Sequence, residues 1–489
     1  MPKLVFLASD IALYILICGV CFYIWHALRT PNLRQTWRTV LHDASAMSAA
    51  VILSVFLVIA ILDSFHFRPV LAAAADAPVG AAPAYSTRTL SLLDHWLSAR
   101  RESGEKTYSI PLGTHQFTKE TMLVDGKSVR DFPRLKFGGI HLRDPETQWA
   151  GDIAQRTATG LFAGLIVAAV LWVGVAALRA RAIDGSVKES LASIVRGSTE
   201  VPLRAMLITA SVLTLLVCWV AAVWPYYHVF GTDQTGNDVL YQGIKSIRTA
   251  VVLGSLATLA TLPFAIVLGI LAGYFKKRVD DAIMYLITML SSIPSVLLLA
   301  AFALMIQVFV DKNTNMFETG LERADVRLFL LAIILGITGW TGLARLLRAE
   351  TLKLTELDYV QAARAFGVSN IGIMRRHILP NVMHVVLIVS VLEFAGIVLY
   401  EAVLAYIGLG VDPSTNSFGG MITTSRTELT REPTIWWNLL AGFTLMVSLV
   451  LSMQLFSRAV NEAFDPRARA FRVKRVKVPG PKVAAAATH

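Results

Sequence analysis

Long stretches of this chain carry no charged side chain. Residues 205–232, 249–275, 282–310 and 433–457 contain no Asp, Glu, Lys or Arg, and charges gather in short blocks between such runs. About 20 apolar residues suffice to span the hydrocarbon core as a helix. The pattern predicts nine spanning helices, at 5–26, 44–62, 157–178, 205–224, 249–275, 282–309, 328–344, 383–408 and 436–457. Pro263 and Pro294 should kink theirs. Asp10 interrupts the start of the first run, and no small-residue cleavage signal follows within reach, so this run reads as a retained anchor rather than a signal peptide.

The long interval 63–156 has a different pattern. It opens on a low-complexity Ala/Pro linker, Ala72 to Ala84. Thr89 then stands where it would cap a helix carrying Leu90, Leu93, Trp96 and Leu97 at helical spacing. In Met122–Val129, Asp125-Gly126 divides two short runs, a hairpin signal. These features predict a small α+β domain outside the membrane, in contact with a soluble partner or lying as a lid over a pathway.

Composition agrees with a polytopic membrane protein: 55% of the 489 residues are hydrophobic and 16% charged, against about 25% charged in soluble proteins. The net charge of +11 would suggest nucleic acid on a soluble domain. Here the basic residues are not interleaved with aromatics on one domain, and they serve topology instead. Segments 29–43, 179–204, 276–281, 345–380 and 458–489 hold 25 Lys and Arg, whereas the opposite short loops 225–248, 310–327 and 409–435 hold 7. This predicts a cytoplasmic C-terminus and, with nine spans, an external N-terminus. The basic tail beyond Arg467 reads as a positive-inside segment that can meet anionic lipid.

Candidate chemistry narrows the class. Cys18-Gly-Val-Cys21 has the CxxC form but no second ligand pair, and it lies within a span, so it reads as small packing residues. No Gly-x-Ser-x-Gly or His-x-x-x-His occurs, and Gly126-Lys127-Ser128 has Thr121 where a phosphate loop needs glycine. The chain therefore reads as a non-enzyme without a nucleotide engine or a metal site. Glu393 and Glu401 fall within one span, about 80° apart around its axis. They are translocation-path candidates, and they keep open the alternative of an ion-coupled secondary transporter.

The loop 345–380 is the most informative stretch. Thr355-Glu356-Leu357-Asp358 resembles a capping box, and Tyr359, Ala362, Ala363 and Phe366 then recur at helical spacing. Gly367 is placed to end this short helix, predicted over 356–366, and a second helix from Ser369 runs to Leu379-Pro380. Small residues permit close approach and aromatics fill pockets, as interface anchors do.

Gln361-Ala-Ala363, Gly367 and Leu379-Pro380 resemble the EAA signature of ABC importer permeases. Tyr359–Gly367 with Arg376–Asn381 is similar to the second permease of the dipeptide/oligopeptide/nickel importers. So, in order, are Gly231–Leu240, Leu271-Ala-Gly-Tyr-Phe275, Glu401-Ala402 with Tyr406–Val411, and Phe464-Asp-Pro-Arg467, covering about residues 203–467. Departures are Gln361 at the signature glutamate, His377 at an isoleucine and Asn237 at an arginine.

The resemblance implies a six-helix type I permease core at 205–467, lining a path with a homologous permease subunit. It would receive peptides or peptide-like solutes from an external substrate-binding protein. One or two ABC ATPase subunits would carry ATP and Mg, leaving no cofactor on this chain. Glu356, Tyr359, Ala362, Ala363, Phe366, Gly367, Leu379 and Pro380 would meet the ATPase. The location implied is the bacterial inner membrane. Residues 1–200 lie outside the resemblance: two spans in 1–62, the external domain 63–156, a third span at 157–178 and a cytoplasmic linker at 179–204. A basic tail, 468–489, follows the core.

Overall fold

The computed structural model describes residues 2–71, 85–124 and 127–464. The Ala/Pro linker, the Asp125-Gly126 turn, the end of the Phe464–Arg467 motif and the basic tail lie outside them.

Among the described residues nine helices are long and apolar enough to cross a membrane. The first half of the chain contributes β1 (Lys3–Val5), α1 (Ala8–Arg29), α2 (Pro31–Leu41), α3 (Ala44–Ser64) and β2 (His66–Arg68). An insert follows with β3 (Leu90–Ser91), α4 (Leu92–Trp96), α5 (Ser98–Arg101), β4 (Glu120–Val124) and β5 (Lys127–Asp131). Then come α6 (Pro145–Ile183) and α7 (Val187–Arg196). The second half holds α8 (Leu203–Val223), α9 (Val239–Phe275), α10 (Lys277–Ser292), α11 (Ser295–Lys312) and α12 (Gly320–Thr355). It ends with α13 (Asp358–Ala365), α14 (Asn370–Ile373), α15 (Leu379–Tyr406), α16 (Phe418–Glu428) and α17 (Trp437–Phe464).

Three local expectations are corrected. Residues 3–5 are not helical: they form the edge of a three-stranded antiparallel sheet, β1-β2-β3, that ties the N-terminus to the insert. Thr89 does not cap the insert helix. Ser91 does, accepting from Asp94 N–H while Asp94 accepts from the Ser91 N–H, a complete capping box. The span expected at 282–309 is broken: Pro294 caps α11, and α10 is a separate amphipathic helix. Pro263, by contrast, lies inside the continuous α9.

α9 is the axis of the second half and packs along α12 with small residues at the seam. A Cβ on Gly269 would meet the Ala344 carbonyl at 2.8 Å, and one on Gly273 the Arg348 carbonyl at 2.7 Å. In lipid, close backbone approach of this kind replaces the hydrophobic drive that associates helices in water. α6 and α8 pair similarly through Gly160 and Gly164, which face Trp219 and Leu215 backbone. α3 packs beside both α17 and α9, so the extra spans are continuous with the core rather than tethered to it.

The insert is α+β, with β4 and β5 paired antiparallel from Glu120↔Asp131 to Val124↔Lys127. It rests on the loop 224–238, where the N–H groups of Glu105, Leu112 and Gly139 donate to the Gly236, His228 and Tyr226 carbonyls, and on the start of α17, where Tyr108 is buried with Trp437 and Phe117 meets Trp437 edge-on at 5.0 Å.

Candidate functional site

At the end of the molecule away from the insert, α12 closes on Thr355, so Thr355 is not the cap expected of it. Its hydroxyl donates to Leu352, and its carbonyl accepts from the Gln361 side chain at 2.7 Å. Leu357 precedes α13 with no side-chain cap, and the helix covers 358–365 rather than 356–366. It ends in a Schellman turn. Gly367 sits at φ +76°, its N–H bonds Arg364, and Val368 N–H bonds Ala363. Ser369 then caps α14, accepting from Gly372 N–H at 3.2 Å.

The apolar residues of α13 do not form one face. Ala363 is buried together with Val360, against Ile373, Ile378 and Tyr274. Tyr359, Ala362 and Phe366 are left uncovered, and Phe366 is 88% exposed. Val360 was missed in the sequence because eight residues give two turns, too few for periodicity to separate two apolar faces. Of the remaining predicted residues, Leu379 is half-buried, and Pro380 is exposed in the first turn of α15, where it needs no N–H partner.

The Leu271–Phe275 stretch supports this loop. Tyr274 donates to the Asn370 side chain at 2.8 Å, and the Arg364 guanidinium lies over its ring at 5.4 Å. Lys276 follows at φ +55° and pairs with Glu356 at 2.5 Å. That bond and the lysine's charge hold the Glu356 carboxyl below its usual range. Asn381 donates to the Tyr359 hydroxyl at 3.2 Å, tying α13 to the root of α15.

The insert end carries a polar cleft of about 830 Å³, lined by residues of 233–242, Gln307, Arg327, the turn 408–417, α16 and Asn438. None of the described residues of 63–156 lines it. Asn237 closes the loop at its rim, its N–H bonding Asp233 at 2.9 Å and its amide donating to Thr235 at 2.6 Å. Neither Glu393 nor Glu401 lines the cleft. Glu401 is buried and accepts from Gly419 N–H at 3.1 Å, at the N-terminus of α16; Glu393 is half-buried on α15. Gly410 and Gly419 close tightly on Ala405, which accounts for the small residues of the 401–411 stretch.

Beside the cleft, buried charges that the sequence reading passed over link the two halves of the chain. His228 bonds Asp238 at 2.7 Å and Glu105 of the insert at 3.4 Å. Burial would lower the histidine, but these two carboxylates raise it to about 9. Glu105 also accepts from the N–H groups of Lys136, Phe137 and Gly138; against the effect of burial, His228 and these donors hold its carboxyl below the usual range.

Residues 265–470, which include α13, match the family described as binding-protein-dependent transport system inner membrane components. This match places the second half of the chain among the ABC importer permeases. The oligopeptide transport system permease protein OppC of Haemophilus influenzae is 28% identical over 243 residues, 50% of this chain and 71% of that protein. The dipeptide transport system permease protein DppC of Lactococcus lactis subsp. cremoris is 28% identical over 241 residues, 49% of this chain and 64% of that one. OppC of Escherichia coli K12 is 28% identical over 242 residues, 50% and 73% of the two chains. A solved structure of the MetNI methionine ABC transporter in inward-facing conformations matches 46% of this chain and 96% of its own at 18% identity, with a TM-score of 0.34. The fold is that of a multi-pass inner-membrane protein, with a type I permease core and a further set of N-terminal helices.

Proposed function

We propose that this permease is the membrane subunit of an ATP-driven importer for peptides or peptide-like solutes, and that α13 is its coupling helix. The observation that carries the reading is the outer face of α13. Tyr359, Ala362 and Phe366 stand exposed on a helix whose other face is packed and whose end is fixed by Gly367. An exposed aromatic on a rigid mount is what a groove on another subunit would take as an anchor. One or two ATPase subunits carrying ATP and Mg would dock there, and a homologous permease would complete the path. An external binding protein would deliver solute to the polar cleft. The solute class comes from the peptide-transport relatives. In this orientation the insert end and the N-terminus are external, and α13 and the C-terminus are cytoplasmic, a reading that the distribution of Lys and Arg supports.

Inverting a 1:99 equilibrium between inward and outward access takes about 5.5 kcal/mol of differential binding. That energy can enter through α13 from ATP-driven closure of the ATPases. The ion-coupled alternative would place it at Glu393 and Glu401. Glu401 is already engaged with α16, and neither residue faces the cleft. Uptake in membranes containing the whole transporter distinguishes the two. Vanadate should abolish it, and Glu393→Gln with Glu401→Gln should leave vanadate-sensitive uptake in place. Vanadate-resistant uptake that disappears in the double variant would establish the ion-coupled carrier instead.

A further inference from the structure

Lys245 and Arg248 sit one turn apart on α9, at the insert end of a helix that then runs without charge to Phe275. Both cations find their partners mainly in the N-terminal part of the chain. Lys245 Nζ lies 2.6 Å from Asp63 at the end of α3 and 2.9 Å from Asp94 of the insert helix α4. Arg248 lies 2.5 Å from Asp10 of α1 and 3.3 Å from Asp325 of α12. His66 on β2 bonds the second oxygen of Asp10 at 2.8 Å, and Ser9 N–H donates to Asp325 at 3.0 Å. Ser64 and Ser91 complete the shell, the first accepting from Arg248 and the second donating to Asp63. Asp10, Asp63, His66 and Arg248 are all buried.

We infer that this network is a bolt fixing the N-terminal helices and the insert to the outer ends of α9 and α12, and that it stays closed while the transporter cycles. Two cations on one face of a core helix are matched by three carboxylates from three different elements of the first 94 residues, and His66 from a fourth holds one of those carboxylates. Opening the joint would part Arg248 from Asp10 and Lys245 from Asp63 and Asp94 at largely buried positions, and breaking buried pairs costs more than never having built them. The bolt also abuts the transport cleft. Thr249, next to Arg248, donates to the Asn416 carbonyl at 2.7 Å, and Arg327 on α12 lies 3.4 Å from Asp412. The first half of the chain, α9 and α12 then move as one body, and the cleft must widen on its other side, at α15, α16 and the turn 408–417.

The test uses the rim of the joint, where Lys3 on β1 and Glu318 before α12 pair in the open at 3.4 Å. Cys18, Cys21 and Cys218 are replaced by serine, and Lys3→Cys and Glu318→Cys are joined by a short bis-methanethiosulfonate linker. Uptake within about twofold of the unlinked protein is expected. Loss of uptake that dithiothreitol restores would overturn the bolt, because it would show that the joint must open. A second comparison needs no transport. Arg248→Met should lower the melting temperature and expose the insert to protease, and adding Asp10→Asn and Asp325→Asn should recover part of that loss. Equal behaviour of the single and triple variants would show that the charges do not hold the joint. The functional arm rests on the permease reading. Were the unlinked complex itself to take up no solute, that reading would fail, while the comparison of charge variants would still decide the bolt.

Discussion

His228 shows how one buried residue joins two parts of the chain. Its folded value of about 9 lies above the ordinary 6.5, so its contribution to stability is complete below about pH 6.5 and fades as pH rises through 9. Glu105 is shifted the other way, below 4.5, so its contribution is present above about pH 4.5 and is lost on acidification beneath that. Protease resistance of the insert should therefore be greatest between about pH 4.5 and 6.5 and decline towards pH 9 and beyond. Glu105→Gln should flatten the profile, and an unchanged profile would remove the pair from the joint. Gly236 is the second residue to matter here. It sits at φ +79°, and a Cβ would run into the Glu105 carbonyl. A left-handed backbone costs a non-glycine residue roughly 1–2 kcal/mol. Gly236→Ala should lower the melting temperature by at least the corresponding amount, read by thermal denaturation in detergent.

Among the elements, α13 best separates packing from function. Ala363→Asp would bury a charge between Val360 and Tyr274 and should collapse the loop and destabilise the protein. Phe366→Ala touches no packed neighbour, so stability should stay within the roughly ±0.5 kcal/mol usual for surface changes. Co-purification with ATPase subunits should nonetheless fall sharply. A Phe366→Ala protein that retains its ATPases and transports normally would remove α13 from the coupling interface. The helix was legible in the sequence because Gly367 and Ser369 are strong punctuation. Its inward side was not, since Val360 is one apolar residue among several and only the neighbouring Ile373 and Ile378 decide which are covered.

For the whole molecule, the insert divides into a part that holds the permease and a part that does not. Removing residues 86–150 takes away Asp94 and Glu105, and with them partners of Lys245 and His228. That deletion should yield protein that fails to insert or is degraded, measured as its level in membranes. Replacing 120–131, a hairpin with mainly exposed side chains, by a short Gly/Ser turn should leave folding and the Lys245 contacts intact. Equal loss in both variants would contradict this division. An insert that could be removed entirely would be an accessory domain; the buried contacts instead make it part of the scaffold.

The sequence by itself determined the membrane class, nine spans and the short helix between α12 and α15. Those properties follow from local rules: a charge-free run long enough to cross lipid, and glycine or serine where a helix must turn or start. The motifs along 203–467 also mark the permease core. Only the tertiary structure decided that the core and the N-terminal half are one packed unit. Asp10 read along the chain was an interruption of a span, and Lys245 and Arg248 were two positive charges in a short loop. Their meaning depends on which helices stand beside them, because an ionised group is tolerated in a buried site only when an opposite charge from elsewhere in the chain meets it there.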